Sequence, residues 1–260
     1  MSKQGSQSRI RLVTKKTQRE LAEEWDRIAR RRLEQVEKHV DLSRDFVLLP
    51  AISGLLPEGF LGRVIDVGCG SGQLTAILSG RARHAVGVDP SRESIRLAEE
   101  CYGTSAAGLI FVASTIEEYA SRDQEPFDVA VANMVLMTVP DLDAALVATS
   151  SLLRGGGTFV FTITHPWFWP SYWGYDYEPW FTYTNELFIE APFEISLDEA
   201  LDVTTHVHRP LEAYFTSLFD SGLVVERCLE PMPPPGVHAR YPKPWKFPRF
   251  FAASCRRTPT

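Results

Sequence analysis

This sequence has few cysteines, no long apolar run and no excess of basic residues. None of its apolar runs approaches the roughly 20 residues needed to cross a bilayer. The opening, MSKQGSQSRIRLVTKK, lacks the apolar core of a secretory signal. The four cysteines stand far apart, without the spacing of a metal site. We therefore expect a cytoplasmic protein with free thiols, no bound metal and no membrane partner.

The charge balance argues against a polyanionic partner. The 260 residues carry a formal net charge of −6, whereas nucleic-acid binding requires a concentrated basic surface. The basic residues that cluster lie near the N-terminus, among them Lys15, Lys16 and Arg30. They are interpreted as a solvated helix face or a loose tail. A small-molecule partner is expected, and a homodimer is compatible with the sequence.

From residue 62 onward, short apolar runs alternate with helical patterns. The predicted strands are RVIDV, HAVGV, LIFVA, FDVAVA and GTFVFTI, and later GLVVERCLEP and FPRFFAASCRR. The segments between the first five have helical periodicity, as does QRELAEEWDRIARRRLEQVEKHV before them. This alternation predicts βαβ units and a doubly wound α/β fold with a parallel sheet. A further helix is predicted to begin at His206 and His208.

The segment VIDVGCGSGQLTAIL places three glycines between a predicted strand and a predicted helix. Gly68, Gly70 and Gly72 form GxGxG, not the GxGxxG that holds a pyrophosphate at a helix N-terminus. Either a ligand approaches this backbone, or the glycines form a tight turn with positive φ. Asp66 ends the strand before them and could hold a cationic group or order the loop. Asp89 ends the next strand, where a carboxylate accepts hydrogen bonds from ribose hydroxyls.

Asp89 could instead cap the following helix. Ser91 is the better N-cap before RESIRLAEE, which leaves Asp89 available to a ligand. A ribonucleoside ligand is therefore favoured.

With these motifs the chain resembles the class I S-adenosylmethionine-dependent methyltransferases. VIDVGCGSG is similar to the family's first motif, VGVDPS to its second, ASTIEEY to its adenine-contacting segment, and FDVAVANMVLMTVPDLDAAL to its fourth motif. The resemblance implies a Rossmann-like, seven-stranded sheet with its last strand antiparallel. It also implies S-adenosyl-L-methionine as cofactor and S-adenosyl-L-homocysteine as product.

Five parts of the chain are expected. These are a mobile tail (1–17), an N-terminal helical cap (18–58), a cofactor-binding core (59–164), an aromatic-rich acceptor-side insertion after strand five (165–207), and the C-terminal part of the core (208–260). The cofactor residues that the resemblance implies are Asp66, Gly68, Cys69, Gly70, Gly72, Asp89, Pro90, Ser114, Thr115, Ile116, Asn133, Met134 and Val135. Of these, Cys69 is interpreted as a small packing residue rather than a catalytic thiol.

The acceptor side is less well defined by the sequence. After strand four stands NMVL, without the prolines that follow Asn or Asp in enzymes methylating nucleobase amines, so a small acceptor is favoured. The segment 167–181 is dense in aromatic residues, which suit a planar or apolar acceptor. The predicted acceptor-binding residues are Trp25, Trp167, Phe168, Trp173, Tyr175 and His208.

His165, directly after strand five, is the candidate base for removing a proton from the acceptor. Alternatively, His165 bonds backbone across Pro166. The function expected is methyl transfer to O, N or C of a small metabolite. The alternatives are an NAD(P)-dependent oxidoreductase and a non-catalytic protein that binds S-adenosylmethionine.

Overall fold

The structure is a computed structural model that describes residues 10–259, and the side chains of all of these except residues 199–201. Its strands are β1 (Arg11–Val13), β2 (Gly62–Val67), β3 (Ala82–Asp89), β4 (Leu109–Ala113), β5 (Phe127–Asn133), β6 (Leu153–Thr164), β7 (Leu187–Ile195), β8 (Asp198–His208), β9 (Leu223–Leu229) and β10 (Phe250–Arg257). Its α-helices are α1 (Gln18–Glu37), α2 (Leu49–Leu55), α3 (Gln73–Ser79), α4 (Arg92–Tyr102), α5 (Ile116–Ala120), α6 (Leu142–Leu152), α7 (Trp169–Trp173), α8 (Leu211–Asp220) and α9 (Pro235–His238). A π-helical turn, Arg44–Leu48, precedes α2.

Seven strands form the main sheet in the order β4-β3-β2-β5-β6-β10-β9. Strands β2 to β6 pair in parallel, and β10 runs antiparallel to both β6 and β9. The predicted doubly wound fold with an antiparallel last strand is confirmed. Because all five parallel strands end at one edge, the loops that follow them meet there.

Local sequence signals fix where the helices begin. Thr17 and Glu20 form a capping box at α1, and Thr115 and Glu118 form another at α5. The Ser91 side chain accepts a hydrogen bond from the Ser94 N–H at the start of α4, which confirms Ser91 as the N-cap. Each helix therefore begins at a fixed point beyond the strand ends.

A second, antiparallel sheet was not predicted. It has the order β1-β7-β8. Within the predicted mobile tail, 1–17, Arg11–Val13 pair with β7, while residues 1–9 lie outside the described residues. The prediction that a helix begins at His206 and His208 is wrong, because both residues lie at the end of strand β8.

Helix α1 packs against the second sheet. Glu24 of α1 is buried and accepts hydrogen bonds from the backbone N–H and the hydroxyl of Thr205. Gln35 Nε2 donates to Asp198 at 2.8 Å. Together with α7, these elements cover the carboxyl edge of the main sheet. Among the helices that the structure describes, none is long and apolar enough to cross a membrane.

Candidate active site

A cavity of about 300 Å³ lies between the carboxyl edge of the main sheet and the elements that cover it. One end of the cavity is lined by the loops after β2, β3, β4 and β5. The other end is lined by α7, β7, β8 and the start of β10, and α1 runs along it. A ligand at the first end and a ligand at the second would share one continuous space.

The three glycines of the loop after β2 serve different purposes, although all have positive φ. A Cβ at Gly68 would lie 2.4 Å from Val135, and one at Gly72 would lie 2.7 Å from Phe111. A Cβ at Gly70 would have no neighbour within 4 Å. Gly68 and Gly72 are therefore required by the protein's own packing, and Gly72 does not line the cavity. Gly70 is the glycine that leaves room for a ligand.

Asp89 holds this loop and faces the same space. Its Oδ2 accepts a hydrogen bond from the Gly70 N–H at 2.9 Å, and its Oδ1 accepts one from the Ser91 N–H at 2.8 Å. Burial raises the pKa of Asp89 to about 6. A carboxylate has about four lone-pair sites, so two remain for donors entering the cavity, where Asp89 is part of the lining.

Asp66 is not part of the cavity lining, which favours the second of its two predicted roles, ordering the loop. It is 1% exposed, and its Oδ2 accepts a hydrogen bond from the Thr75 hydroxyl at 2.7 Å. Burial raises the pKa of Asp66 to about 7. The hydrogen bond between Asp66 and Thr75 links the end of β2 to α3, and it orders the loop between them.

Most of the other predicted cofactor residues do line the cavity. They are Gly68, Cys69, Gly70, Pro90, Ser114, Thr115, Ile116, Asn133, Met134 and Val135. Met134 has φ +60°, a costly conformation for a residue other than glycine. Its N–H donates to the Thr162 hydroxyl, which in turn donates to Asn133 Oδ1. Burial raises the pKa of the Cys69 thiol well above its ordinary value, as expected of a packing residue.

The predicted acceptor residues divide into two groups. Trp25 and Trp173 line the cavity. Trp167, Phe168, Tyr175 and His208 are not part of its lining, so the structure does not bring them together with Trp25 and Trp173. Trp167 is 60% exposed and Phe168 stacks on a surface phenylalanine. Tyr175 and His208 belong to a buried aromatic core and contact each other.

His165 is also absent from the cavity lining. Its Nδ1 accepts a hydrogen bond from the Trp167 N–H at 3.3 Å, and its Nε2 donates to Glu230 at 2.9 Å. Both ring nitrogens therefore take part in hydrogen bonds, and one of these joins the imidazole to the backbone on the other side of Pro166. This geometry gives His165 a structural position rather than that of a base facing an acceptor.

His206 takes the position in the cavity that His165 lacks. It is 8% exposed and lines the cavity, with Trp173 5.6 Å and Trp169 6.5 Å away between ring centroids. No hydrogen bond to its imidazole is found among the side chains that the structure describes. Burial, with smaller contributions from His208 and Arg209, lowers the pKa of His206 to about 3. The imidazole is therefore neutral and available as an acceptor.

Comparisons with known proteins agree with this site. A model of the methyltransferase domain family matches residues 65–161. The ubiquinone biosynthesis O-methyltransferase of Aeromonas salmonicida is 33% identical over 102 residues, which are 39% of this chain and 43% of that protein. Its namesake from Vibrio atlanticus is 31% identical over 106 residues, 40% of this chain and 45% of that protein. The chain thus spans less than half the length of these curated relatives.

Solved structures extend the similarity in fold beyond the matched segment. An S-adenosylmethionine-dependent methyltransferase from Mesorhizobium loti superposes with a TM-score of 0.59 at 22% identity, over 80% of this chain and 96% of that one. The N-methyltransferase NodS of Bradyrhizobium japonicum, in complex with S-adenosyl-L-homocysteine, gives 0.52 at 16% identity, over 81% and 83%. Residues 65–161 therefore match the methyltransferase domain family in sequence, and the chain has the fold of the class I S-adenosylmethionine-dependent methyltransferases.

The residues at the first end of the cavity fit the cofactor of this family, S-adenosylmethionine. Gly70 leaves room for a ligand beside the loop, and Asp89 has lone pairs left to accept hydrogen bonds from the ribose hydroxyls. Gln73 Nε2, which lies in the cavity lining, is buried without a hydrogen-bond partner among the described residues. An unpaired buried donor is costly, and the carboxylate of the cofactor's methionyl part would satisfy it.

Several residues at the second end of the cavity were not predicted from the sequence. They are Trp169, Tyr172, Phe193, His206, Arg249 and Phe250. The alternation of TTHVH at the end of β8 was the signal that could have found His206, because residues two apart in a strand share a face. The family match ends at residue 161, so none of these residues falls within a family motif.

Proposed function

We propose that this chain transfers the methyl group of S-adenosylmethionine to an oxygen or another nucleophilic atom of a small aromatic or apolar metabolite. The observation that carries the proposal is the shared cavity. Residues typical of a cofactor site and a set of aromatic side chains line the same space. Methyl transfer needs little beyond alignment and exclusion of water, and a covered cavity supports both.

The aromatic side chains support a planar or apolar acceptor. Trp25 packs edge-on to Phe193 at 5.6 Å, and Trp169 lies 5.2 Å from Trp173. Aromatic rings also favour a cationic group such as a methyl sulfonium. Trp173 therefore serves both alignment and electrostatics in this proposal.

His206 is proposed as the group that accepts a proton from the acceptor. Its imidazole is neutral and unpaired in a cavity that it lines. An anionic acceptor bound nearby would raise the pKa of His206 from its low value, because an opposite charge favours the imidazolium. The names of the curated relatives support an oxygen acceptor, whereas NodS is an N-methyltransferase.

The cofactor is tested first by calorimetric titration with S-adenosylmethionine and, separately, with NAD. We expect binding of S-adenosylmethionine only. Binding of NAD alone would favour an oxidoreductase. Release of S-adenosyl-L-homocysteine is then measured with panels of phenols, amines and carbon acids. Binding of S-adenosylmethionine without turnover of any acceptor would favour the non-catalytic alternative.

The acceptor end is tested with two tryptophan variants. Trp173→Leu is expected to raise the KM for the acceptor, because Trp173 lines the cavity. Trp167→Leu is the matched control, since Trp167 is largely exposed and absent from the lining. Equal effects of the two substitutions would count against an acceptor site at this end of the cavity.

A further inference from the structure

A buried arginine lies at the acceptor end of the cavity. Arg249 immediately precedes β10, is 7% exposed and belongs to the cavity lining. Its guanidinium stacks over Tyr172 at 3.7 Å and over Trp245 at 4.5 Å. One of its nitrogens, Nη2, donates to the Lys243 carbonyl at 2.9 Å. The side chain is thus held in place mainly by aromatic faces.

Arg249 differs from the other arginines of the cavity in having no acidic partner. Arg32 pairs with Asp41 at 2.7 Å, and Arg44 pairs with Asp45 at 2.7 Å. No carboxylate within ion-pair distance of Arg249 is found among the side chains of residues 10–198 and 202–259. Burial also lowers the pKa of the Arg249 guanidinium. A buried charge without a partner is costly, so an anion entering the cavity would be stabilised here.

A second donor lies next to this arginine. Trp169 is 8% exposed, lines the cavity, and has an indole N–H without a hydrogen-bond partner among the described residues. Its ring is 5.1 Å from that of Tyr172, on which Arg249 stacks. A guanidinium and an unsatisfied N–H therefore border the same end of one cavity. Among the described residues, the indole N–H has no hydrogen-bond acceptor and the guanidinium has no carboxylate partner.

The position in the sheet separates Arg249 from the cofactor residues. The cofactor end is built from the loops after β2, β3, β4 and β5, whereas Arg249 precedes β10, two strands beyond β5. Neighbouring strands are about 4.8 Å apart, so the backbone of Arg249 lies roughly 10 Å from the backbone at the end of β5. The anion it would bind belongs to the acceptor and not to the methionyl carboxylate of the cofactor.

We propose that Arg249, with Trp169, binds a carboxylate of the methyl acceptor, so that the acceptor is an aromatic or apolar carboxylic acid. This inference rests on the proposed methyl transfer and names its substrate class. A carboxylate matches the single charge and the planar fork of a guanidinium. A phosphate monoester carries about −1.5 to −2, which one arginine does not neutralise.

The experiment compares ligands of one shape and different charge. Benzoate, benzamide and phenyl phosphate are titrated into the protein by calorimetry, with and without saturating S-adenosyl-L-homocysteine. We expect benzoate to bind at least tenfold more tightly than either of the others. Equal affinity for benzoate and benzamide would overturn the proposal. Tighter binding of phenyl phosphate would overturn the assignment to a carboxylate.

Variants connect the preference to the residues. Arg249→Gln is expected to abolish the preference for benzoate over benzamide while S-adenosyl-L-homocysteine binds as before. Arg249→Lys keeps the charge and is expected to retain a reduced preference, which covers a failure of Arg249→Gln to fold. Trp169→Phe removes the N–H, together with part of the ring, and should weaken benzoate about threefold to tenfold. Arg240→Gln is the control, because Arg240 also stacks on an aromatic ring but is absent from the cavity lining.

The outcomes separate this inference from the proposed function. If the wild-type protein fails to bind S-adenosyl-L-homocysteine but prefers benzoate, the methyl transfer fails and the anion site stands. If Arg249→Gln keeps the benzoate preference, the anion site is wrong whatever the cofactor does. A selective loss of S-adenosyl-L-homocysteine affinity in Arg249→Gln would assign the arginine to the cofactor and overturn the proposal.

Discussion

Replacing Asp89 tests the cofactor end of the cavity most directly. Its carboxylate accepts two backbone hydrogen bonds, from Gly70 at 2.9 Å and from Ser91 at 2.8 Å, and faces the cavity with its remaining lone pairs. Asp89→Ala removes every one of these acceptors. Asp89→Asn keeps one oxygen but places an amide N–H₂ against a backbone N–H, so the loop loses one of its two anchors.

The expected loss follows from the strength of these bonds. A hydrogen bond to a charged group contributes about 1.5–3 kcal/mol, and each 1.4 kcal/mol is a factor of about ten in Kd. We expect Asp89→Asn to weaken S-adenosyl-L-homocysteine at least roughly tenfold and Asp89→Ala by more, as measured by calorimetry. An unchanged Kd in a variant that keeps the wild-type circular dichroism spectrum would refute a ribose contact at Asp89.

The pH dependence gives a second, independent measure. Burial raises the pKa of Asp89 to about 6, and the ionised form is the better acceptor. Cofactor affinity should therefore be full above about pH 7 and decline as the pH falls through 6. Asp26→Asn is the matched control. Asp26 accepts a hydrogen bond from the Ser91 hydroxyl but is not part of the cavity lining. Its charge contributes to the raised pKa of Asp89. That variant should keep the affinity at pH 8 and move the decline to lower pH.

Three further predictions concern the loop, the base and the buried acid. Gly70→Ala should lower the stability by about 1–2 kcal/mol because of its positive φ, and it should also weaken cofactor binding. Gly72→Ala should mainly lower the stability measured by urea titration, because its Cβ would lie 2.7 Å from a buried phenylalanine. His206→Gln should lower kcat by about 10²–10⁴-fold at unchanged cofactor Kd, while His165→Gln should lower the melting temperature and leave kcat within a few fold; the reverse pattern would restore His165 as the base. Burial raises the pKa of Asp66 in the folded protein to about 7, compared with roughly 3.9 in an unfolded chain. Its contribution to stability is therefore full below about pH 4, falls by up to about 1.4 kcal/mol per pH unit between about pH 4 and 7, and does not recover above 7. Asp66→Asn should be more stable than wild type at pH 8 by urea denaturation, and a loss of stability there would contradict the assignment.

The main sheet could be predicted because its signals are local. Each strand of the core is a short apolar run followed by a helix, and caps such as Ser91 stand beside the helix that they begin. The cofactor loop is equally local, since Gly70 and Asp89 are separated by one helix and one strand. What the sequence could not separate was packing from binding. Gly68 and Gly72 are fixed by Val135 and Phe111, which lie far along the chain.

Most of the acceptor end could not be predicted, because it is built by residues that are far apart in the sequence. The pairing of β1 with β7 places Arg11 opposite Glu190. A three-residue strand is too short to show a periodicity from which this pairing could be predicted. In the aromatic segment after β6, the acceptor was predicted to contact Trp167, Phe168, Trp173 and Tyr175. The aromatic side chains of this segment that line the cavity are those of Trp169, Tyr172 and Trp173. An irregular segment has no fixed period, so its sequence does not tell which rings enter the core and which enter the cavity.

Glu24 shows how such a long-range contact determines the site. The sequence of α1 does not distinguish Glu24 from the other acidic residues of the helix. Glu24 is nevertheless only 5% exposed, and it accepts hydrogen bonds from the backbone N–H and the hydroxyl of Thr205. Lys16 lies between Glu24 and Glu190 and pairs with both. A buried carboxylate is retained only where such partners satisfy it. The ion cluster therefore fixes β8 against α1, and through the register of β8 it fixes His206 at the cavity, one residue beyond Thr205. A catalytic role for His206 thus depends on a helix that no family motif includes.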